Sequence, residues 1–133
     1  MSTCLVVDDS DVIREIICRM VGDIGLDPIQ ARSAGEGVDL CQEQMIAVVL
    51  LDWDLPSMGA LDFLRGVGEL PADQRPKIVL CATENDQKQF TLAQAAGAQF
   101  HILKPFDKER LAETFVEAGV MASNPFTDER AAS

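Results

Sequence analysis

Positive charge is scarce in this chain. Eleven Lys and Arg stand against 22 Asp and Glu, giving a formal charge of −11 at pH 7, and the cations are scattered along the sequence. Nucleic-acid binders gather Lys and Arg into a stripe that neutralises phosphates, so that class is set aside. Histidine occurs once, as His101, and the four cysteines (Cys4, Cys18, Cys41 and Cys81) form no C-x-x-C pair. The spacing of a zinc site is missing, and the cysteines are read as small, reduced hydrophobes. No apolar run approaches the ~18 residues of a membrane span. The run after Met1 is cut by acids too early for a secretion signal. No internal repeat or low-complexity segment occurs. A soluble cytoplasmic protein, with no nucleic-acid partner and no membrane insertion, is expected.

What is present can build a core. Of 133 residues, 47% are apolar and only 25% charged, which separates the chain from disordered acidic tails. A domain usually takes ~100–200 residues, so one domain over 1–122 is expected, with 123–133 as a short, polar, flexible tail from Ser123 and Asn124-Pro125. Five short apolar runs, at 4–7, 28–31, 47–51, 78–82 and 100–103, lack period-two alternation, as strands buried on both faces do.

Between them the periodicity turns helical. Val12, Ile13, Ile16, Ile17, Met20, Val21 and Ile24 form the clearest helix, with Ser10 or Asp11 to cap it and Gly25 to end it. A second helix is expected over 34–44 around Val38, Leu40 and Cys41, and a third over about 60–68 through Leu61, Leu64 and Val67. A fourth over 86–96 places Phe90, Ala93 and Ala96 inward, closed by Gly97. The fifth starts at Asp107 and aligns Leu111, Phe115, Val116 and Gly119. Five strand–helix alternations predict a three-layer α/β fold, because right-handed crossovers put helices on both faces of a parallel sheet.

The residues that end the runs carry the chemistry. They are Asp8-Asp9, Asp52, Thr83 and Lys104 followed by Pro105. Alone, each has a plain reading: a turn and helix cap, a strand end, a surface lysine. In an open parallel sheet, however, ligands bind outside the carboxyl ends of the strands, so three carboxylates, a hydroxyl and an ammonium reach one edge together. Carboxylates so crowded raise one another's pKa unless a cation joins them. A hard divalent ion with oxygen ligands, most simply Mg²⁺, relieves that repulsion and would neutralise a phosphoryl group arriving in line with a carboxylate nucleophile. Lys104 suits pairing with a carboxylate at rest and a phosphoryl oxygen after transfer.

Four runs, in this order, resemble the receiver domain of two-component response regulators, most closely the stand-alone chemotaxis type called CheY-like. They are Leu5-Val6-Val7-Asp8-Asp9-Ser10, Val49-Leu50-Leu51-Asp52-Trp53-Asp54-Leu55-Pro56, Cys81-Ala82-Thr83-Glu84-Asn85-Asp86 and Lys104-Pro105-Phe106-Asp107. The likeness covers about residues 3–121. It implies a doubly wound, flavodoxin-like α/β sandwich: a five-stranded parallel sheet in the order 2-1-3-4-5 with five helices. It implies that Asp52 accepts a phosphoryl group from phosphohistidine on a histidine kinase or histidine phosphotransfer protein. Asp8, Asp9, Asp52 and the backbone carbonyl of Asp54 would hold Mg²⁺. Thr83 would be the switch hydroxyl, Lys104 the phosphoryl-binding cation, and the bond before Pro105 cis. Inward movement of Thr83 would let side chain 101 turn inward and repack the fourth helix, fifth strand and fifth helix, where a downstream effector protein binds. A monomeric signalling switch is implied, not an enzyme beyond its own phosphoryl transfer and slow autodephosphorylation.

The chain departs from the family pattern in three places. His101 stands where Tyr or Phe is usual, and Gly59 comes one place early in the loop after Asp52. Glu84 replaces a small residue and is expected to repel small anionic phosphodonors; with Asp54 and Asn85, which flank the site, it is expected to tune hydrolysis of the acyl phosphate. Two other readings compete. One is a phosphorylation-independent adaptor that keeps the fold. The other is a haloacid-dehalogenase-like phosphatase, prompted by Asp52-Trp53-Asp54, but here the acidic pair precedes that motif, Leu55-Pro56 follows it, and there is no room for a cap domain.

Overall fold

Short runs of aliphatic residues without alternation can be buried on both faces, and in the computed structural model, which describes residues 2–126, all of them form strands. They are β1 (Thr3–Val7), β2 (Asp27–Ala31), β3 (Val48–Asp52), β4 (Lys77–Ala82) and β5 (Phe100–Leu103). All pairings are parallel, in the order β2-β1-β3-β4-β5. The intervening helices are α1 (Asp11–Ile24), α2 (Ala34–Glu43), α3 (Gly59–Gly68), α4 (Gln87–Ala95) and α5 (Lys108–Glu117). The doubly wound α/β fold is therefore as the sequence implied. Among the described residues, no helix is long and apolar enough to cross a membrane.

Period-two geometry divides each strand between two cores. Leu5, Val7, Val49, Leu51 and Leu80 face α2, α3 and α4, packing with Phe63, Leu64 and Phe90. Cys4, Val6, Leu50, Val79, Cys81 and Ile102 face α1 and α5, packing with Ile17, Val21, Leu111 and Phe115. Ser10, Asp86 and Asp107 cap α1, α4 and α5 by accepting from backbone N–H groups, and Gly25 ends α1 at φ +112°, a left-handed conformation that suits glycine. All four cysteines are buried and unpaired, and burial pushes the Cys41 thiol up to about 11 and that of Cys81 to about 12.

Several helical details differ from the expectation. Val12, Ile13 and Ile16 are 67%, 40% and 45% exposed, while Arg14 is buried. The inward series of α1 is Arg14, Ile17, Cys18, Val21 and Ile24. Arg14 tolerates burial because its donors are satisfied: Nε donates to Gln30 Oε1 at 2.7 Å, Nη1 to the Asp8 carbonyl at 2.8 Å, and Nη2 to Asp11. Ala96 and Gly119 are exposed rather than inward, because α4 and α5 stop at Ala95 and Glu117 and the chain turns away.

The beginning of the expected flexible tail is packed. Asn124 is buried with Nδ2 donating to the Glu109 carbonyl at 3.2 Å, its Oδ1 accepts from Phe126 N at 2.9 Å, and Lys108 Nζ lies 5.1 Å from the centre of the Phe126 ring. The sequence signal was polarity alone, which does not register a side chain able to donate to a carbonyl in the first turn of a neighbouring helix. Residues 127–133 of that expected tail lie outside the described residues.

Candidate functional site

Because the strands are parallel, β1, β3, β4 and β5 present their carboxyl ends on one edge. β1 leads into Asp8 and Asp9, β3 ends on Asp52, β4 leads into Thr83 and β5 into Lys104. Asp8 and Asp52 are only 2% and 5% exposed, whereas Asp9 is open to solvent. Each of the three offers a carboxylate oxygen, and these oxygens all lie within 4.8 Å of one another.

The local backbone orients the two buried carboxylates. Ser10 N donates to Asp8 Oδ1 at 2.9 Å and Asp54 N to Asp52 Oδ1 at 3.0 Å, each two residues on, as Asx turns do. Lys104 Nζ lies 3.1 Å from Asp8 Oδ2 and 3.1 Å from Asp52 Oδ1. Its backbone N–H donates to the Ala82 carbonyl at 2.7 Å, continuing the β4–β5 ladder, and the Lys104–Pro105 bond is cis.

Burial lifts the Asp52 pKa above its ordinary value; Asp54 N–H and Lys104 pull it down without cancelling the rise, and Asp8 adds to it. Burial pushes the Lys104 ammonium down, but Asp52 and Asp8 together outweigh it and its pKa is raised. Lys104 is thus held charged. One ammonium against three carboxylates leaves the cluster acidic, and its donors are all oxygen, the set that a hard divalent cation prefers. Asp8, Asp9 and Asp52 could hold such an ion.

The remaining candidates surround this cluster. Thr83 is exposed and its Oγ1 donates to Asp54 Oδ2 at 3.3 Å. These two residues, with Trp53, Ala82, Glu84 and Gln89, line a cavity of about 110 Å³. His101 is exposed and stacks on Phe90, ring centres 3.9 Å apart and planes 17° from parallel. Asn85 lines a different cleft, of about 340 Å³, with His101, Pro105 and Arg110.

The early glycine has a specific effect on the loop after Asp52. Ser57 (φ 57°, ψ 38°) and Met58 (φ 60°, ψ 30°) both take the left-handed conformation, while Gly59 is right-handed. A Cβ on Gly59 would sit 3.0 Å from Leu55 Cβ, so here glycine permits close packing and leaves the backbone strain to its two predecessors.

Arg14 escaped the sequence reading. Its signal was positional: it stands three and four residues before Ile17 and Cys18, on the inward stripe, and so needed partners at the sheet edge.

The sequence profile of the response regulator receiver domain matches residues 4–116. A chemotaxis protein CheY homolog of Campylobacter jejuni is 31% identical over 111 residues, 82% of this chain and 85% of that protein. The phosphate regulon transcriptional regulatory protein PhoB of Escherichia coli is 26% identical over 80% of this chain but only 47% of its own length. Among solved structures, the chemotaxis protein CheY4 of Vibrio cholerae superposes with a TM-score of 0.82 at 27% identity, covering 89% of this chain and 98% of that one. The acidic cluster with its lysine, on a 2-1-3-4-5 sheet, and these likenesses agree: the chain belongs to the response regulator receiver domain family, as a CheY-like receiver of two-component signalling.

Proposed function

We propose that this receiver is a phosphorylation-activated switch whose phosphoacceptor is Asp52. The observation that carries the reading is the setting of that side chain. It is buried, next to Asp8 and Asp9, with Oδ1 held by both Asp54 N–H and Lys104 Nζ. Oδ2 accepts no hydrogen bond from the described residues, so its lone pairs are available to attack phosphorus. In the transfer, a phosphorus–oxygen bond forms to Asp52 as the phosphorus–nitrogen bond of the donor phosphohistidine breaks, and the imidazole nitrogen leaves with the electron pair.

Asp8, Asp9, Asp52 and the Asp54 backbone carbonyl would hold Mg²⁺, which would supply charge neutralisation to the phosphoryl group. The chain's own residues do the rest. Lys104 already stands between two carboxylates and can follow the charge onto a phosphoryl oxygen. Phosphorylation adds ~1.5–2 negative charges and three acceptor oxygens, which draw the Thr83 hydroxyl inward. Side chain 101 then exchanges its stack on Phe90 for a more buried position, and the face made by α4, β5 and α5 changes shape for an effector protein. Asp54 and Asn85 tune the hydrolysis of the acyl phosphate, and Glu84 disfavours small anionic donors.

A protein donor, a histidine kinase or histidine phosphotransfer protein, is supported by the exposed Val12, Ile13 and Ile16, which begin just beyond the Asp8-Asp9 pair. The receiver works as a cytoplasmic monomer. Trp53 adjoins Asp52, so the test is its fluorescence during titration with beryllofluoride and Mg²⁺. A saturable, Mg²⁺-dependent change that is lost in Asp52→Asn is the expected result. No response would favour the adaptor, and rapid multiple turnover of phosphate esters the phosphatase.

A further inference from the structure

A hydroxyl carries one proton and donates one hydrogen bond at a time. Thr83 directs that proton to Asp54 Oδ2, 3.3 Å away, and not to the acidic cluster. Asp54 is well placed to receive it. Its own N–H is tied to Asp52 Oδ1 at 3.0 Å, which fixes its main chain beside the acceptor, and its side chain shares the 110 Å³ cavity with Thr83.

We propose that Asp54 is a positioning residue that latches the Thr83 hydroxyl in the resting state, biasing the switch against the activated form until the phosphoryl group accepts the Thr83 hydrogen bond in its place. The proposal rests on the switch reading above. Two effects act in the same direction. Turning Thr83 inward breaks a hydrogen bond to a carboxylate, and it leaves that carboxylate unpartnered beside a newly added anion. Asp54 therefore raises the threshold for switching and suppresses switching without phosphate. Both residues are exposed, so the latch is modest: one solvent-accessible hydrogen bond to a charged group corresponds to about a three- to tenfold bias in the equilibrium.

The chain supplies its own reporter. His101 is the only histidine, so its imidazole C–H groups give a single set of NMR signals, displaced by the ring current of Phe90 stacked 3.9 Å away. The experiment compares wild type, Asp54→Ala, Asp54→Asn, Thr83→Ala and the double Asp54→Ala/Thr83→Ala protein at saturating Mg²⁺, without and with beryllofluoride. Asp54→Ala is expected to tighten beryllofluoride binding about three- to tenfold and to move the free protein's His101 signals toward the bound position. Asp54→Asn, which keeps an acceptor oxygen but not the charge, falls between. With Thr83→Ala already present, Asp54→Ala no longer moves the His101 signals, an outcome that a merely structural role for Asp54 does not produce. The latch is overturned if wild type responds while Asp54→Ala binds no tighter and leaves His101 in place, or if Asp54→Ala shifts His101 equally in the Thr83→Ala background. A wild type that fails to bind beryllofluoride overturns the switch and the latch together.

Discussion

Lys104 Nζ and Asp52 Oδ1 are 3.1 Å apart, and the same oxygen also accepts from Asp54 N–H. Even with both donors, burial leaves the Asp52 pKa above its ordinary value. The folded protein therefore holds a proton on Asp52 more tightly than the unfolded chain does, and stability falls as pH rises from the ordinary carboxylate range through the raised value. Asp52→Asn, which removes the charge and keeps the shape, is expected to be more stable than wild type at pH 7. The gain should shrink as pH is lowered and wild-type Asp52 becomes neutral. Urea melts at pH 7 and pH 4 measure this; equal gains at both would contradict it.

Lys104 gives a slope of the same sign in a different pH range. Its pKa is raised, so the stability it contributes is complete below its unfolded pKa and is lost only as pH climbs through the higher folded value, in the alkaline range. At neutral pH without divalent ions, Lys104→Met should cost about 1.5–3 kcal/mol, since two hydrogen bonds to charged groups go and two buried carboxylates lose their cation. The urea midpoint in chelator is the measurement.

Metal addition should partly substitute for such losses. An ion that binds only the folded state stabilises it by about 2.7 kcal/mol at a hundred times its dissociation constant. Mg²⁺ is expected to raise the thermal midpoint of wild type and to do so far less in Asp9→Ala. Asp9 is the solvent-exposed member of the cluster, so its loss should spare the fold. Calorimetric scans with and without Mg²⁺ decide the point.

Arg14 should matter to both fold and site. Arg14→Met removes donors from Gln30, the Asp8 carbonyl and Asp11 and should destabilise by about 2–4 kcal/mol, with weaker Mg²⁺ binding as the β1–α1 loop loosens. Arg14→Lys should recover little, because an ammonium cannot reproduce the three-way fork of a guanidinium.

The loop after Asp52 makes a prediction of opposite direction at adjacent positions. Ser57→Gly and Met58→Gly should each stabilise by about 1 kcal/mol, since both positions are left-handed and both side chains are exposed. Gly59→Ala should destabilise by about 1 kcal/mol through its contact with Leu55. Denaturant unfolding of the three variants is the check.

The sheet order, the five helices and the gathering of Asp8, Asp9, Asp52 and Lys104 were legible because strand ends in a parallel sheet share an edge whatever the loops do. The finer placements were not. Apolar periodicity gave α1 a stripe through Val12, Ile13 and Ile16, yet Arg14 took the inward position because partners distant in sequence, Gln30 among them, satisfied its donors. Asn124 looked like the start of a loose tail, since only the folded α5 brings the Glu109 carbonyl to which it donates within reach. The Thr83–Asp54 pair spans 29 positions and depends on how two adjacent strands end, which no local pattern records.

The four buried cysteines turn this receiver into its own unfolding probe. Burial raises the thiol pKa of Cys4, Cys18, Cys41 and Cys81 alike, so the folded protein should be nearly inert to alkylating reagents. Three of them sit in the core against α1 and α5 and Cys41 in the core across the sheet, so labelling read site by site reports the opening of each layer separately. The same silence means that a single cysteine introduced at an exposed position such as Leu92 carries a dye or spin label cleanly, beside the face on which a partner would be sought.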